Sequence, residues 1–204
     1  MNDKLNRVLE ALKTRGFDAQ LFETAKEASD FIRSDIAPNA GIAVGGSMTV
    51  KQMDLHTLLR EDGHSVLWHW EVSPAERPAL LQQAKNADVY LCSANAITED
   101  GLMVQIDGTG NRVGAMCYGP RTVYVIIGRN KIVEGGYPQA VKRIKQIACP
   151  ANARRCGLNT PCALDGKCNV SACTQSMCHL FLALEGTPSG NKTKVLLVNE
   201  DLGY

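Results

Sequence analysis

Short apolar runs that alternate with segments of helical periodicity constrain the fold of this chain more than any other feature. Glycine or polar residues bound each run, and the runs cover residues 41–44, 65–68, 88–92, 102–106, 122–127 and 194–198. Strands that are apolar along their whole length are buried on both faces, which is typical of a parallel sheet covered by helices. The connection between Ala94 and Ile106 is too short to hold a helix, so we expect two strands to meet there as a hairpin. The sequence therefore predicts an α/β fold with a mostly parallel or mixed sheet flanked by helices.

The spacing of apolar residues also predicts the helices that separate these strands. The predicted helices cover residues 5–12, 25–32, about 74–86 with Ser73 as the cap, and 140–148. Beyond Cys149 the apolar periodicity fades, and glycine, proline, asparagine, threonine and serine prevail until about residue 192. We therefore expect a single α/β domain over residues 1–204 that carries a cysteine-rich loop subdomain at residues 149–192.

The charge balance and the lengths of the apolar runs exclude several classes of function. The 204 residues include 22 lysines and arginines and 21 aspartates and glutamates, a formal charge of +1. A near-neutral chain lacks the basic surface with which nucleic-acid-binding proteins hold phosphates. No apolar run approaches the roughly 20 residues that a membrane-spanning helix needs, and residues 1–5 lack the apolar core of a signal peptide. We therefore expect a cytoplasmic protein that binds neither nucleic acid nor membrane.

A glycine-rich turn follows the apolar run at residues 41–44. Gly45 and Gly46 would let a ligand approach the backbone, and Ser47 and Thr49 offer hydroxyl groups at the start of the next helix. This pattern favours an anion such as phosphate or carboxylate. A plain strand-to-helix turn capped by Ser47 or Thr49 has the same sequence.

The predicted hairpin turn carries an unusual density of polar side chains. Asn95, Thr98, Glu99 and Asp100 follow one apolar strand and precede the next, and Asp100-Gly101 is a common turn pair. A carboxylate at the end of a buried strand can serve as a base or nucleophile, so Glu99 is the candidate catalytic residue. A solvated turn glutamate is the alternative.

A second glycine-bearing turn follows the run at 102–106. Its polar and glycine residues are Asp107, Gly108, Gly110, Asn111 and Arg112. Arg112 could hold a carboxylate or phosphate through two hydrogen bonds, or it could brace the loop by pairing with Asp107 or Asp100. Lys131 follows the next strand and could face the same crevice, or it could be solvated. Because strand ends converge in α/β sheets, we expect these turns to share one crevice for a small anionic metabolite.

Six cysteines fall between Cys149 and Cys178, within the polar segment. We expect the ligands of one metal ion or iron–sulfur cluster among the five that follow Cys149, namely Cys156, Cys162, Cys168, Cys173 and Cys178. Disulfides, which are disfavoured in the cytosol, and free thiols are the two alternatives. No convincing nicotinamide-binding fingerprint is present, so no NAD is expected.

Taken in order, these motifs closely resemble the LUD-domain proteins of the lactate utilization protein C type. The motifs are Gly45-Gly46-Ser47-Met48-Thr49, Asn95 to Gly101, Asp107 to Val113, Gly119-Pro120, Asn130-Lys131 and Thr160-Pro161-Cys162. The resemblance spans essentially the whole chain. It implies a fold similar to ribose-5-phosphate isomerase, glucosamine-6-phosphate deaminase and the CoA transferases. In CoA transferases a glutamate in a Ser-Glu-Asn-Gly turn is the covalent nucleophile, and Thr98-Glu99-Asp100-Gly101 is similar in type.

The resemblance also implies a function in organic-acid metabolism. Family members of the short type act with iron–sulfur and electron-transfer partner proteins in oxidising L-lactate to pyruvate. We therefore expect a protein that takes part in the oxidation of L-lactate or a related 2-hydroxy acid. A homo-oligomer is one expected form of this protein. Two alternatives stay open, a stand-alone isomerase- or transferase-like enzyme that uses Glu99, and a non-enzymatic metabolite-binding or redox-sensing module. Whether the chain is itself an enzyme is left open by the sequence.

Overall fold

The computed structural model describes residues 3–204, in which ten strands form two sheets. The strands are β1 (Asp18–Phe22), β2 (Ile42–Val44), β3 (Val66–Trp68), β4 (Val89–Cys92), β5 (Ala96–Thr98), β6 (Met103–Asp107), β7 (Thr122–Gly128), β8 (Ile132–Val133), β9 (Leu180–Leu184) and β10 (Lys192–Val198). Six of them form the larger sheet, in the order β1-β10-β7-β4-β2-β3. All neighbours in this sheet run parallel, which confirms the predicted α/β class with its mostly parallel sheet.

The smaller sheet has four strands in the order β8-β5-β6-β9. Strands β5 and β6 pair antiparallel, with Ile97 opposite Met103, so the predicted hairpin is present. Strand β9 pairs antiparallel with β6 and forms one edge of this sheet. The sequence did not predict β9, although residues 180–184 are an apolar run with a single alanine.

Nine α-helices lie within residues 3–204. They are α1 (Asp3–Thr14), α2 (Ala25–Asp35), α3 (Met48–Gln52), α4 (Leu55–Glu61), α5 (Arg77–Ala84), α6 (Asn111–Cys117), α7 (Tyr137–Arg143), α8 (Cys149–Arg155) and α9 (Pro161–Asp165). Helix α1 turns Leu5, Val8 and Leu12 toward one core cluster, and α2 contributes Ala28 and Ile32 to another. Both clusters draw on alternate residues of the same parallel strands, which explains why those strands are apolar throughout. No helix among residues 3–204 is both long and apolar enough to cross a bilayer.

Two predicted helices differ from the structure at their boundaries. Helix α5 begins at Arg77 rather than near Pro74, because the Ser73 amide and hydroxyl both donate to Glu76 and hold the intervening residues in a turn. The helix predicted over 140–148 begins at Tyr137 and continues to Arg155 through a π-helical turn at Ile144–Ala148. That wider turn precedes Pro150, whose nitrogen has no hydrogen to donate in the first turn of α8. The first part of the cysteine-rich segment is therefore helical, and the division into a domain and an insert stays a prediction.

Candidate functional site

A cavity of about 1160 Å³ opens where several strands of the structure end. Its lining includes Gly46 and Ser47 after β2, Ser93 to Asn95 after β4, and Asp107 to Arg112 after β6. Strands β2 and β4 are parallel neighbours, so their carboxyl ends lie side by side. Ligands of open α/β sheets bind at such ends. The cavity therefore brings together most of the predicted binding residues, and their role in binding a ligand stays a prediction.

Close side-chain packing accounts for the two glycines that follow β2. A Cβ atom on Gly45 would lie 3.0 Å from the Tyr90 hydroxyl, and one on Gly46 would lie 3.3 Å from the Trp70 ring. Ser47 then caps α3, because its hydroxyl accepts a hydrogen bond from the Val50 amide at 3.2 Å. The structural role considered for Ser47 is thus present, and the residue also lines the cavity.

The turn after β6 is held together by Asp107. One carboxylate oxygen accepts from the Gly110 amide at 2.8 Å, and the other accepts from the Val113 amide at 3.4 Å. Gly110 has φ +88°, a left-handed conformation that favours glycine. Gly108 lies so close to the backbone oxygen of Met177 that a Cβ atom would stand 3.0 Å from it. The turn is therefore rigid, and it presents Gly108, Gly110 and Asn111 to the cavity.

Arg112 is braced by this turn and by the residue that precedes β5. Its Nη2 donates to Asn95 Oδ1 and to the Ile106 carbonyl, both at 2.8 Å, and its Nε lies 3.6 Å from Asp107 Oδ2. The alternative predicted for Arg112, bracing of the loop, is thus present and uses Asp107 and not Asp100. Because Arg112 also lines the cavity, the same contacts fix its guanidinium beside any ligand bound there.

Lys131 reaches the cavity from a 3-10 turn after β7 and is only 3% exposed. Its Nζ donates to Thr49 Oγ1 and Ser93 Oγ, each at 2.8 Å. No carboxylate of residues 3–204 forms an ion pair with it. Burial lowers the pKa of Lys131 well below its usual value, and the positive charges of Arg143 and Arg112 lower it further. Thr49, predicted as a ligand contact, instead holds Lys131 from behind the cavity wall.

Arg143 is a buried basic residue whose place in the site the sequence did not indicate. From α7 it donates to the Asn95 carbonyl at 2.5 Å and to the Asn130 carbonyl at 3.0 Å. Burial lowers its pKa to about 10. A sequence pattern gave no signal for this role, because the contact joins a helix to two loops that are distant along the chain.

The cavity is strongly basic although the chain as a whole is close to neutral. The lining contains six basic side chains, namely Lys51, Arg77, Lys85, Arg112, Lys131 and Arg155, and one carboxylate, Asp107. His69 also lines the cavity, and burial followed by the charge of Arg77 lowers its pKa. Trp70 forms an aromatic wall, with the Arg155 guanidinium 4.2 Å from its ring centre. Such a cavity is suited to a negatively charged ligand.

Three predicted site residues lie away from the cavity, at the opposite end of the β5–β6 hairpin. Glu99 faces α1, where its carboxylate lies 3.2 Å from Lys4 Nζ and 3.9 Å from Arg7 Nη2. Asp100 accepts from Thr98 and pairs with Arg15 at 2.9 Å. The structure does not bring Thr98, Glu99 or Asp100 to the cavity. The catalytic role of Glu99 stays a prediction that the geometry of the cavity does not support.

The five cysteines predicted to bind a metal do not come together as a set, although Cys162 and Cys178 pack in one cluster with Cys149. Cys156 and Cys178 line the cavity, whereas the Cys162 sulfur contacts the Thr160 hydroxyl at 3.3 Å. Within residues 3–204 no three side chains of His, Cys, Asp or Glu are grouped so that they could hold one metal ion. The five thiols as they are arranged therefore do not fit a metal or cluster, and such a cofactor stays a prediction. The structure instead brings Cys178 to Cys149, with 3.4 Å between their sulfur atoms.

Comparisons with known proteins agree with this fold. The family model described as the LUD domain matches residues 5–198. A crystal structure of a DUF162 family protein from Deinococcus radiodurans superposes with a TM-score of 0.55 and 14% identity, and the match covers 96% of each chain. No curated protein matches the sequence. At that identity the solved structure supports the fold alone, whereas the family match covers nearly the whole sequence. The chain therefore belongs to the LUD domain family.

Proposed function

We propose that this chain is a lactate-utilization-type protein that binds L-lactate or a related 2-hydroxy acid in the basic cavity. The observation that carries the proposal is the six-to-one excess of basic over acidic side chains in the lining. The family membership supports the same function, because LUD-domain proteins take their name from lactate utilization.

Two of the six basic side chains, Arg112 and Lys131, would contribute to carboxylate binding in different ways. Arg112 is fixed by Asn95 and Asp107, so its planar guanidinium is oriented before a ligand arrives. Lys131 is held only by the hydroxyls of Thr49 and Ser93, so an incoming carboxylate would supply its first negatively charged neighbour. A carboxylate close to Lys131 would favour the charged ammonium and so raise the lowered pKa of this residue.

Oxidation of a 2-hydroxy acid to a 2-oxo acid releases two electrons and two protons. In this proposal the electrons pass to iron–sulfur or electron-transfer partner proteins, as the family resemblance implies. The chain would hold the acid while the partners accept the electrons. Cytoplasmic location and self-association stay predictions.

Calorimetric titration of L-lactate tests the proposal, with the uncharged analogue lactamide as the matched ligand. We expect wild-type protein to bind lactate and not lactamide. Lys131→Met should weaken lactate binding about 10- to 100-fold, the effect of losing one charged hydrogen bond of about 1.5–3 kcal/mol. Lys4→Met, the same substitution beside Glu99, should leave the affinity unchanged. Equal affinity for lactate and lactamide, or equal losses in the two variants, would contradict the proposal.

The size of the cavity favours a second candidate function. About 1160 Å³ is more than a three-carbon acid fills, since pockets of 300–1,000 Å³ hold drug-sized ligands. A larger anion, such as a sugar phosphate or a CoA thioester, would engage more of the six basic side chains. The chain would then be an isomerase- or transferase-like enzyme whose chemistry lies in the cavity. Thermal-shift assays with lactate, ribose 5-phosphate and CoA separate the two functions by which ligand raises Tm most.

A further inference from the structure

Two cysteines from different parts of the chain meet in the wall of the basic cavity. Cys149 begins α8, and Cys178 lies two residues before β9, 29 positions later. Their sulfur atoms are 3.4 Å apart, and both residues line the cavity. Among residues 3–204 no other two cysteine sulfurs are in contact. The structure thus selects one pair from the six cysteines of the polar segment.

We propose that Cys149 and Cys178 form a redox-active dithiol that closes reversibly to a disulfide in the cavity wall. The inference does not rest on the proposed function, since it needs only the two sulfurs and an oxidant. A disulfide bond is about 2.05 Å long, so closure requires only a small approach of two sulfurs that already touch.

The surroundings hold both sulfurs in position. The backbone amide of His179 donates to the Asp107 carbonyl at 3.0 Å, and its ring nitrogen lies 3.0 Å from the Gly108 carbonyl. These bonds dock the residue after Cys178 onto the glycine turn that lines the cavity. From the other side, Asn152 of α8 donates to the Met177 sulfur at 2.8 Å. The segment that carries Cys178 is therefore fixed against both α8 and the turn at Asp107–Gly110.

The two sulfurs have different environments, which gives them different roles in the exchange. Lys145 stands one helical turn before Cys149, and its side chain also interacts with the Cys178 sulfur. Cys149 is buried, whereas Cys178 is half-buried. Cys178 is thus the thiol that an external oxidant reaches. Cys149 is the resolving thiol, which then attacks the mixed disulfide formed on Cys178.

The oxidant we name is a low-molecular-weight disulfide such as oxidised glutathione. The Cys178 thiolate attacks one sulfur of that disulfide, whose S–S bond breaks and releases one thiol after protonation. Cys149 then loses its proton and attacks the Cys178 sulfur, which forms the internal S–S bond and releases the second thiol. The protein loses two electrons and two protons, and the external disulfide is reduced to two thiols.

Thiol counting on the 204-residue chain tests this pair. The protein is reduced under anaerobic conditions, equilibrated with oxidised glutathione, alkylated, and analysed by intact mass and peptide mapping. We expect two of the eight thiols to become protected, with one cross-link between Cys149 and Cys178 that dithiothreitol reverses. The Cys149→Ser variant, which lacks the resolving thiol, should accumulate a glutathione adduct on Cys178. The Cys156→Ser variant, which changes another cavity cysteine, should form the cross-link like the wild type.

Three results would overturn the inference. All eight thiols could still be alkylated after oxidation, or peptide mapping could show disulfides between other cysteines. Alternatively, metal analysis of anaerobic protein could find a stoichiometric ion that protects Cys178 together with other cysteines while Cys149 alkylates. Because the first two measurements use wild-type protein, they remain decisive even where a serine variant fails to fold.

Discussion

Two polar, glycine-bearing turns of similar sequence lie at opposite ends of the same hairpin. The turn at Asp107–Gly110 follows β6 and forms part of the cavity, whereas the turn at Thr98–Gly101 joins β5 to β6 and faces α1. Each has an aspartate, a hydroxyl side chain and a glycine with positive φ. The first turn contacts residues that line the cavity, whereas the second forms ion pairs with the surface of α1.

The difference shows that the direction of a strand decides where a polar turn lies. In a parallel sheet every strand delivers its last residue to the same edge. In the hairpin, β6 runs back along β5, so the residues that meet at the cavity are the start of β5 and the end of β6. Asn95 and Ile106 illustrate this, since Asn95 Oδ1 accepts from the Ile106 amide at 3.0 Å. Glu99 stands at the far end of the same ladder.

The largest expected difference between the two turns is in stability. Asp107→Ala removes the acceptor for the Gly110 and Val113 amides and leaves the nearly buried Arg112 without its carboxylate. Because breaking a buried ion pair strands the other charge, we expect a loss of about 3 kcal/mol in the free energy of unfolding. Asp100→Ala removes a carboxylate that is 65% exposed and should cost less than about 1 kcal/mol. Urea unfolding of the two variants measures both values, and equal losses would contradict the comparison.

The same contrast explains what the sequence could and could not predict. The parallel sheet follows from the apolar runs, because only strands buried on both faces carry them. The hairpin follows from a connection too short for a helix. The position of Glu99 does not follow, because a local pattern of strand and turn is the same at either end of a hairpin. The burial of Arg143 was equally hidden, since its partners, the carbonyls of Asn95 and Asn130, are backbone groups that every residue carries.

A second prediction, smaller for each unit of pH, concerns the pH dependence of stability and uses Lys131. Because burial lowers the pKa of Lys131, the folded chain binds fewer protons than the unfolded chain between the folded pKa and about 10.4. Above about pH 10.4 Lys131 is neutral in both states, and its contribution to the free energy of unfolding is at its maximum. As the pH falls from there toward the folded pKa, the unfolded chain takes up a proton first and the free energy of unfolding decreases. Below the folded pKa both states are protonated and the decrease stops. Within this interval the slope is at most about 1.4 kcal/mol per pH unit.

Unfolding curves at several pH values, compared between wild type and Lys131→Met, isolate this contribution. The variant should lack the rise in the free energy of unfolding with pH that Lys131 produces in the wild type. Lys4→Met, on α1 beside the hairpin turn, should retain that rise. Parallel pH profiles for wild type and Lys131→Met would mean that the pKa of Lys131 is not lowered by folding.

The smallest expected effect belongs to Glu99, and its smallness separates two functions. The Glu99 carboxylate is 29% exposed and pairs with Lys4 and Arg7, which are 42% and 60% exposed. Exposed ion pairs contribute about 0–1 kcal/mol and are screened by salt, since the Debye length is about 3 Å at 1 M. Glu99→Gln should therefore lower the free energy of unfolding by less than about 1 kcal/mol at low salt and by an immeasurable amount at 1 M. It should leave the affinity of the cavity for its anion unchanged, because Glu99 does not line the cavity.

A nucleophilic Glu99 would behave differently, because glutamine cannot form the covalent adduct. Turnover with an acyl-CoA substrate would then be lost in Glu99→Gln while stability stayed the same. Loss of such turnover in Glu99→Gln would place the active site at the hairpin turn and not in the cavity. Retained ligand binding with unchanged turnover would place the active site in the cavity, at the end of β6.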